Sequence, residues 1–159
     1  MATEIERKFL VSGSSWMASV SKTRIIRQTY ISKNERVSVR VRIDSASGAT
    51  LTIKTTQSGP SRLEYEYRIP TQDAEELFLH GEGAVVQKVR HEVPLNGLVW
   101  EVDVFAADNA GLVIAEVELE SADQAFTRPV WLGQEVTEDA RFYSANLAAW
   151  PFSRWQTRP

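Results

Sequence analysis

The chain has 159 residues, of which 43% are hydrophobic and 25% are charged, values typical of a soluble globular protein with one core. Its net charge of −3 argues against nonspecific nucleic-acid binding, and the lack of cysteine excludes disulfides and thiolate metal sites. The first residues lack signal-peptide features, and no apolar run approaches the roughly 18 residues of a membrane span. We therefore expect a single cytoplasmic domain over residues 1–159.

Most of the sequence predicts β-strands, because apolar and polar residues alternate with a period of two. The clearest example is the stretch 37–44, in which valines and an isoleucine alternate with Ser, Arg and Asp. Turn residues separate the stretches, including residues 58–61, and Asn96-Gly97 is typical of a β-hairpin. The strands are predicted at residues 4–11, 24–31, 37–44, 51–54, 63–69, 85–93, 100–105 and 113–120.

Helical patterns interrupt the strands at three places. Thr71 is a plausible N-cap for a helix that extends to about Leu79. Ser121 begins a capping-box pattern, which predicts a short second helix. A last helix is predicted over about residues 138–149, with acidic residues in its first turn. The tail, residues 151–159, contains two aromatic residues, and we expect it to fold back onto the domain.

The polar faces of the strands carry charged residues in closely spaced pairs. Glu4 and Glu6 share one face of the first strand, and Lys8 follows on the same face. Two such carboxylates can hold a hard divalent cation, and the lysine can hold an anion beside it. One pair is typical of a solvated strand face, but six pairs favour an enclosed charged site. The pairs are Glu4/Glu6, Arg40/Arg42, Glu64/Glu66, Lys88/Arg90, Glu101/Asp103 and Glu116/Glu118.

A closed barrel would bring these pairs into one interior, and about eight strands leave room there for a small ligand. Buried charge is costly unless it is paired, so the interior suits a charged ligand accompanied by metal ions, such as a polyphosphate. We therefore predict an α+β fold, an eight-stranded antiparallel β-barrel or tunnel with a few flanking helices. Helices or a partner subunit would cover its apolar outer face. The predicted interior residues are Lys8, Arg40, Arg42, Lys54, Lys88, Arg90, Glu4, Glu6, Glu64, Glu66, Glu101, Asp103, Glu116, Glu118 and Glu120.

The segment Glu4-Ile5-Glu6-Arg7-Lys8 resembles the ExExK signature of the CYTH superfamily, the triphosphate tunnel metalloenzymes. Further blocks follow in family order, among them Arg40-Val41-Arg42 and Glu116-Val117-Glu118. The resemblance spans about residues 3–150 and is greatest to short bacterial members that act as inorganic triphosphatases. One departure is Gln28-Thr29-Tyr30, where relatives often have glycine between Gln and Tyr. The departures leave the charged positions unchanged.

The resemblance implies an eight-stranded tunnel that hydrolyses tripolyphosphate to pyrophosphate and phosphate with Mg²⁺ or Mn²⁺. The implied metal ligands are Glu4, Glu6, Glu116 and Glu118, with Glu64, Glu66 and Asp103 as secondary candidates. The residues implied to bind the triphosphate are Lys8, Arg40, Arg42, Lys54, Lys88 and Arg90. Those expected to act in catalysis are Lys8, Glu4, Glu6, Arg40 and Arg42.

Other functions remain open from the sequence. The same tunnel could belong to a class IV-type adenylate cyclase or to a thiamine or nucleoside triphosphatase. A second class is a module that binds polyphosphate or a nucleotide without turnover, and a third is a structural barrel with a salt-bridged interior. The expected partner is a small-molecule triphosphate rather than a nucleic acid or a membrane, and the expected assembly is a monomer or homodimer. Arg7 and Arg68 are expected to face solvent or pair with neighbours.

Overall fold

The structure is a computed structural model that describes residues 3–56 and 60–159. Its strands are β1 (Thr3–Val11), β2 (Lys22–Lys33), β3 (Val37–Asp44), β4 (Gly48–Thr55), β5 (Ser61–Ile69), β6 (Glu82–Leu95), β7 (Leu98–Phe105), β8 (Val113–Glu118) and β9 (Leu132–Glu135). Its α-helices are α1 (Thr71–Phe78) and α2 (Ser144–Ala149), with 3-10 helices at Ser15–Ser19, Ala107–Asn109, Ala140–Phe142 and Phe152–Arg154. None of the helices in the described ranges is both long and apolar enough to cross a bilayer.

The strands form one antiparallel sheet that closes on itself. Its order is β5-β4-β3-β2-β6-β7-β8-β1-β9, and an additional pairing joins β1 to β5. In this closing pair Thr3 lies opposite Leu63 and Glu4 lies opposite Arg62. Strands β1 to β8 therefore make a closed barrel, which confirms the predicted eight-stranded antiparallel architecture. The short strand β9 pairs with the second half of β1 and was not predicted, because Leu-Gly-Gln-Glu carries no alternating pattern.

The hairpin predicted at Asn96-Gly97 is present between β6 and β7. Asn96 has φ 48° and Gly97 has φ 79°, the two positive values that a type I′ turn requires. Leu95 lies opposite Leu98, so the turn contains only these two residues. This tight turn fixes the register of β6 against β7 and therefore the faces on which their charged residues lie.

The apolar outer face of the barrel is covered at three places. Helix α1 packs Ala74 against Val41 of β3 and Ala49 of β4. The residues after β8 and the 3-10 helix Ser15–Ser19 cover a second cluster around Trp100. Helix α2 and the tail cover the third cluster, which contains Tyr30, Val86, Phe105, Leu112, Ile114, Val136, Phe142, Leu147, Ala148, Phe152 and Trp155. The expectation that the tail folds back onto the domain is confirmed.

Two of the predicted helices differ in the structure. The helix expected over 138–149 is divided, because Tyr143 has extended dihedrals of −70° and 133° and separates Ala140–Phe142 from α2. The prediction of a helix at Ser121 is wrong, because that segment forms turns. In these turns the side chain of Gln124 accepts a hydrogen bond from the Glu120 backbone N–H. Helix α1 is present, but Pro70 rather than Thr71 occupies its N-cap. Part of the turn expected at 58–61 lies outside the described residues.

Candidate active site

The barrel encloses a cavity of about 650 Å³ whose wall is largely charged. Residues directly opposite each other in an antiparallel pair share a face, and this register places Glu118 beside Glu6 and Glu116 beside Lys8. The described lining residues include nine basic side chains, Lys8, Arg24, Lys33, Arg40, Arg42, Lys54, Arg62, Lys88 and Arg90. They also include eight acidic side chains, Glu4, Glu6, Glu64, Glu66, Glu101, Glu116, Glu118 and Glu138.

The structure brings nearly all the predicted site residues to this cavity. The six expected phosphate-binding cations line it, and so do the carboxylates expected to hold metal, apart from Asp103. Asp103 is 0% exposed and lies behind the cavity wall. Glu120, expected in the interior, is exposed and lies in an outer groove beside Phe126.

Lys54 of β4 lies between carboxylates of β1 and β5. Its Nζ is 3.1 Å from Glu64 Oε2 and 4.0 Å from Glu6 Oε1, and it also contacts the Glu4 carboxylate. Burial, together with the negative charge of Glu6, raises the pKa of Glu4 to about 7. Burial alone would lower the pKa of Lys54, but Glu6 and Glu4 outweigh burial and raise it. One ammonium group therefore serves three carboxylates, which leaves excess negative charge in this part of the cavity.

Lys8 and Glu116 form a second centre, on β1 and β8. Lys8 Nζ is 3.1 Å from Glu116 Oε1 and donates a hydrogen bond of 3.3 Å to the carbonyl oxygen of Phe142. Arg90 Nη2 is 3.5 Å from the other oxygen of Glu116. Although burial opposes ionisation, Lys8 and Arg90 lower the pKa of Glu116 well below its usual value. Glu116 is therefore a carboxylate, held between two cations.

Asp103 orients two cations from behind the wall. Its carboxylate accepts hydrogen bonds from Lys88 Nζ at 2.6 Å and from Arg90 Nε and Nη2 at 2.7 Å. Burial lowers the pKa of Lys88 to about 8, although Asp103 opposes this shift. With its oxygens occupied by Lys88 and Arg90, Asp103 has the geometry of a positioning group for these side chains.

Arg42 differs from the other predicted cations because its polar contact is neutral. Its Nε donates to Gln28 Oε1 at 3.0 Å, and within the described residues no carboxylate lies within 4.0 Å of it. Burial, and then the like charges of Arg40 and Arg90, lower its pKa to about 10. Arg40 itself donates to Thr52 and lies 3.8 Å from Glu66 Oε2. The wall around Arg42 therefore carries positive charge that an anion would neutralise.

Several cavity residues were missed by the sequence analysis. Arg24 shares the alternating face of β2 with Gln28, and it lies 3.1 Å from Asp44 and 3.2 Å from Glu101. Arg62 precedes Glu64 by two residues and shares its face, a signal overlooked because the strand was expected to begin at residue 63. Lys33 ends β2 and also lines the cavity, but no pattern in the sequence indicated it.

A segment that we call the C-terminal cover, residues 137–149, lines one side of the cavity. A hydrogen bond joins it to β1, since the Lys8 backbone N–H donates to the side-chain oxygen Thr137 Oγ1 at 3.0 Å. Tyr143 of the cover donates from its hydroxyl to the Thr137 carbonyl at 2.9 Å. Gly83 of β6 has φ 72° and lies so close to α2 that a Cβ there would be 2.6 Å from the Ala148 carbonyl oxygen. These contacts fix the position of the cover on the barrel.

The carboxylates of the cavity supply the oxygen ligands that Mg²⁺ and Mn²⁺ prefer. The excess negative charge around Lys54 and the raised pKa of Glu4 both indicate that a further cation would be stabilised there. Within residues 3–56 and 60–159, however, no three His, Asp or Glu side chains are close enough together to hold a metal ion. The donor chemistry fits a divalent cation, but ligation would require Glu4 and Glu6 to turn away from Lys54.

Comparison with known protein families shows where this barrel and its charged cavity occur. A family model described as the CYTH domain matches residues 2–148. The chain belongs to the CYTH domain family. The match covers every strand of the barrel and most of the C-terminal cover. The resemblance inferred from the ExExK segment and the blocks that follow it is therefore confirmed.

Two relatives of this CYTH domain align over nearly its whole length. It is 43% identical over 157 residues to an inorganic triphosphatase of Acetivibrio thermocellus, covering 98% of this chain and 99% of the relative. It is 38% identical over 150 residues to an inorganic triphosphatase of Nitrosomonas europaea, covering 92% and 97%. The crystal structure of the inorganic triphosphatase NE1496 matches with a TM-score of 0.66 at 36% identity, covering 93% of this chain and 95% of that chain. The barrel is thus shared with relatives of similar length.

Proposed function

We propose that this CYTH domain hydrolyses inorganic triphosphate to pyrophosphate and phosphate within the barrel, with Mg²⁺ or Mn²⁺ as cofactor. The observation that carries the proposal is the cavity wall, where unneutralised positive charge at Arg42 adjoins excess negative charge around Lys54. Such a wall suits a metal–triphosphate complex better than a bare anion or a bare cation. Both relatives described above are named for this activity and align over more than nine-tenths of this chain.

Carboxylates on two adjacent strands would hold the metal. We assign this role to Glu4, Glu6, Glu116 and Glu118, with Glu64 and Glu66 as secondary candidates. When bound, a divalent ion polarises phosphate oxygens and lowers the pKa of a water molecule. Asp103, a secondary candidate from the sequence, is assigned instead to positioning Lys88 and Arg90, because it is buried behind the wall with its oxygens occupied.

The basic residues would bind the triphosphate and stabilise its reaction. We assign this role to Lys8, Arg40, Arg42, Lys54, Lys88 and Arg90. Lys88 and Arg90 are held by Asp103, and Lys8 by Glu116, so these cations are oriented before the substrate arrives. Their positive charge would offset the negative charge that develops on the leaving pyrophosphate. Lys8, Glu4, Glu6, Arg40 and Arg42 are the residues that we place nearest the reacting phosphate.

The finer points of the assignment are also proposals. We place residues 1–159 in a single CYTH-like domain that acts on a small-molecule substrate, as a monomer or homodimer. The lack of cysteine in the sequence supports a reducing compartment such as the cytoplasm.

The test is phosphate release from tripolyphosphate, ATP and thiamine triphosphate, each with Mg²⁺, Mn²⁺ or EDTA. Fast, metal-dependent release from tripolyphosphate alone is expected. Turnover or cyclisation mainly of a nucleotide would favour the cyclase or nucleoside triphosphatase alternative. If the folded protein released no phosphate from any substrate with metal present, the activity would be excluded and a binding module would be favoured.

Substitution of the proposed metal ligands gives a sharper test. We expect Glu4→Gln and Glu118→Gln each to lower kcat about 100-fold or more, the scale on which a lost charge-stabilising group acts in an active site. Glu75→Gln is the matched control, because Glu75 is exposed on α1 and pairs with Arg27 outside the cavity. Steady-state phosphate release with circular dichroism as a check of folding measures the effect, and wild-type rates in both variants would remove these residues from the metal site.

A further inference from the structure

Most cations of the cavity are already neutralised by a carboxylate. Lys8, Lys54 and Lys88 each lie within 3.1 Å of one, and Arg90 lies 2.7 Å from Asp103. Within the described residues, three lining cations have no carboxylate within 4.0 Å: Arg42, Arg62 and Lys33. Arg42 belongs to the proposed phosphate-binding set. Arg62 and Lys33 do not, and their positive charge is unexplained by the chemistry assigned so far.

Arg62 is held in place by a neutral partner. Its guanidinium carbon lies 4.3 Å from the centre of the Tyr143 ring, in the C-terminal cover. Stacking on an aromatic face fixes the plane of a guanidinium and leaves its N–H groups available to an anion. Its Nε is buried and has no hydrogen-bond partner among the described residues. Arg62 is therefore an oriented donor at the edge of the cavity.

Lys33 meets the same cover from another strand. Its Nζ donates to the side-chain oxygen of Asn146, and Asn146 Nδ2 donates to the Ala140 carbonyl at 2.6 Å. Strand β2 ends at Lys33 and β5 begins at Ser61, so Lys33 and Arg62 belong to the same end of the barrel. Both cations thus lie where the cover meets the barrel, and both have neutral contacts there.

At the opposite end of the barrel, the lining cation is already neutralised. Arg24 lies there with three carboxylates around it, Asp44 at 3.1 Å, Glu92 at 3.3 Å and Glu101 at 3.2 Å. An incoming polyanion is repelled by an excess of carboxylates and attracted by cations that lack them. Carboxylates also lie at the covered end, around Lys54, but among the described residues none lies within 4.0 Å of Arg62 or Lys33, so these two cations are available to an anion.

We propose that Arg62 and Lys33 form an anion-capture site at the covered end of the tunnel, which makes the first contact with an incoming triphosphate. The inference rests on the proposed triphosphatase function and adds an entry site to it. Charges at the rim of a binding site act chiefly on the association rate and its salt dependence, whereas groups at the reacting centre act on turnover. Capture residues should therefore alter kcat/KM with little change in kcat.

The expected result is specific to these two positions. Arg62→Ala and Lys33→Ala should each lower kcat/KM for tripolyphosphate about three- to tenfold, leave kcat within about twofold, and weaken the dependence of kcat/KM on ionic strength. Arg62→Lys should recover part of the loss because it retains the charge.

Arg68→Ala is the matched control. Arg68 lies on the same strand as Arg62, but it is exposed, lies outside the cavity lining and donates to the Ser47 carbonyl at 3.3 Å. The substitution removes the same charge, so an effect of net charge alone would appear equally in both variants. A merely structural role for Arg62 would instead lower the melting temperature and kcat and leave the salt dependence unchanged.

A binding measurement separates this proposal from the proposed function. Tripolyphosphate is titrated calorimetrically into each variant with EDTA present, so that turnover does not interfere, and Kd should rise about three- to tenfold for Arg62→Ala but not for Arg68→Ala. This pattern in a wild type that lacked hydrolysis would reject the triphosphatase and retain the capture site. An active wild type in which Arg62→Ala and Lys33→Ala matched Arg68→Ala in kcat/KM, salt dependence and Kd would overturn the capture site.

Discussion

Arg42 is a cation of the barrel interior with no carboxylate within 4.0 Å among the described residues. Burial and the nearby charges of Arg40 and Arg90 lower its pKa to about 10, so the protein holds it charged at neutral pH against an unfavourable field. Its hydrogen bond goes to the neutral side chain of Gln28. Retaining a charge without a carboxylate partner makes sense if a negatively charged substrate supplies the missing partner.

Removal of the Arg42 charge should therefore have opposite effects on stability and activity. Arg42→Met should raise the free energy of unfolding by about 1–3 kcal/mol, because an apolar side chain of similar length removes the repulsion. The same change should raise KM for tripolyphosphate or lower kcat. Urea denaturation and steady-state kinetics measure the two effects. Arg36→Met, at an exposed position outside the cavity lining, should alter neither, and a destabilised Arg42→Met would contradict the account.

At the scale of elements, a side-chain network ties β9 and the cover to β1. Arg7 donates to Glu135 from Nε at 2.7 Å and from Nη2 at 2.6 Å, and Thr137 donates to the same carboxylate at 2.8 Å. The hydrogen bonds from Arg7 lower the pKa of Glu135 although burial opposes the shift. Arg7 was expected to face solvent or to pair with a neighbour. The structure shows that it pairs with Glu135, which is 128 residues away in the sequence.

The lowered pKa predicts a pH dependence of stability. Because the folded pKa of Glu135 lies below its unfolded value near 4.5, the ionised carboxylate stabilises the fold above that value, and its contribution is lost as the pH falls through the folded pKa. At pH 7, Glu135→Gln should lower the unfolding free energy by about 1 kcal/mol, since the pair is partly exposed. Urea denaturation at several pH values should show the difference shrinking as the pH falls below about 4.5. A difference independent of pH would contradict this ion-pair account.

The tail stabilises the cover through its aromatic residues. Trp155 is 7% exposed and packs edge-on against Phe142 and Phe152 with ring centres 5.1 Å apart. Trp155→Ala should therefore lower the unfolding free energy by about 3–5 kcal/mol, measured by urea denaturation. Trp150 is 56% exposed, so Trp150→Ala should change it by about 0.5 kcal/mol or less. If both substitutions changed the unfolding free energy equally, Trp155 would not be part of the core.

At the scale of the whole molecule, the closed barrel keeps many charges of both signs close together. Strands distant in sequence bring their carboxylates to one wall, as with Glu6 opposite Glu118. Burial, and then the negative charge of Glu6, raise the pKa of Glu4, so the fold of the substrate-free protein bears repulsion among these groups. A divalent cation that binds the folded barrel should relieve this repulsion and stabilise it.

Metal addition should therefore raise the melting temperature. At a metal concentration about 100 times Kd, linkage gives about 2.7 kcal/mol of added stability. Differential scanning calorimetry with Mg²⁺ or Mn²⁺ measures it, with EDTA reversing the shift and NaCl at matched ionic strength as the control. Glu4→Gln and Glu118→Gln should lose most of the shift while Glu75→Gln retains it, and equal shifts in all variants would indicate nonspecific salt stabilisation.

The sequence by itself determined the number of barrel strands and the identity of most of the charged cavity residues. Alternation with a period of two is local, so it showed which face of β1, β3 or β8 is charged without knowledge of the partner strands. Charged pairs such as Arg40/Arg42 then indicated an interior suited to an anion and a cation. Arg62 was missed because a strand boundary was placed two residues late, an error that local patterns do not correct.

Only the tertiary structure decided which charges neutralise one another. Lys8 meets Glu116 and Arg7 meets Glu135 across more than 100 residues of sequence, and no local pattern encodes these distances. Asp103 and Glu101 share one strand face in the sequence, yet Asp103 lies behind the wall and Glu101 lines the cavity. The division of the 138–149 helix at Tyr143 likewise depends on contacts with β1 and Arg62. A sequence pattern specifies the face of a residue, whereas pairing and burial depend on how distant strands close the barrel.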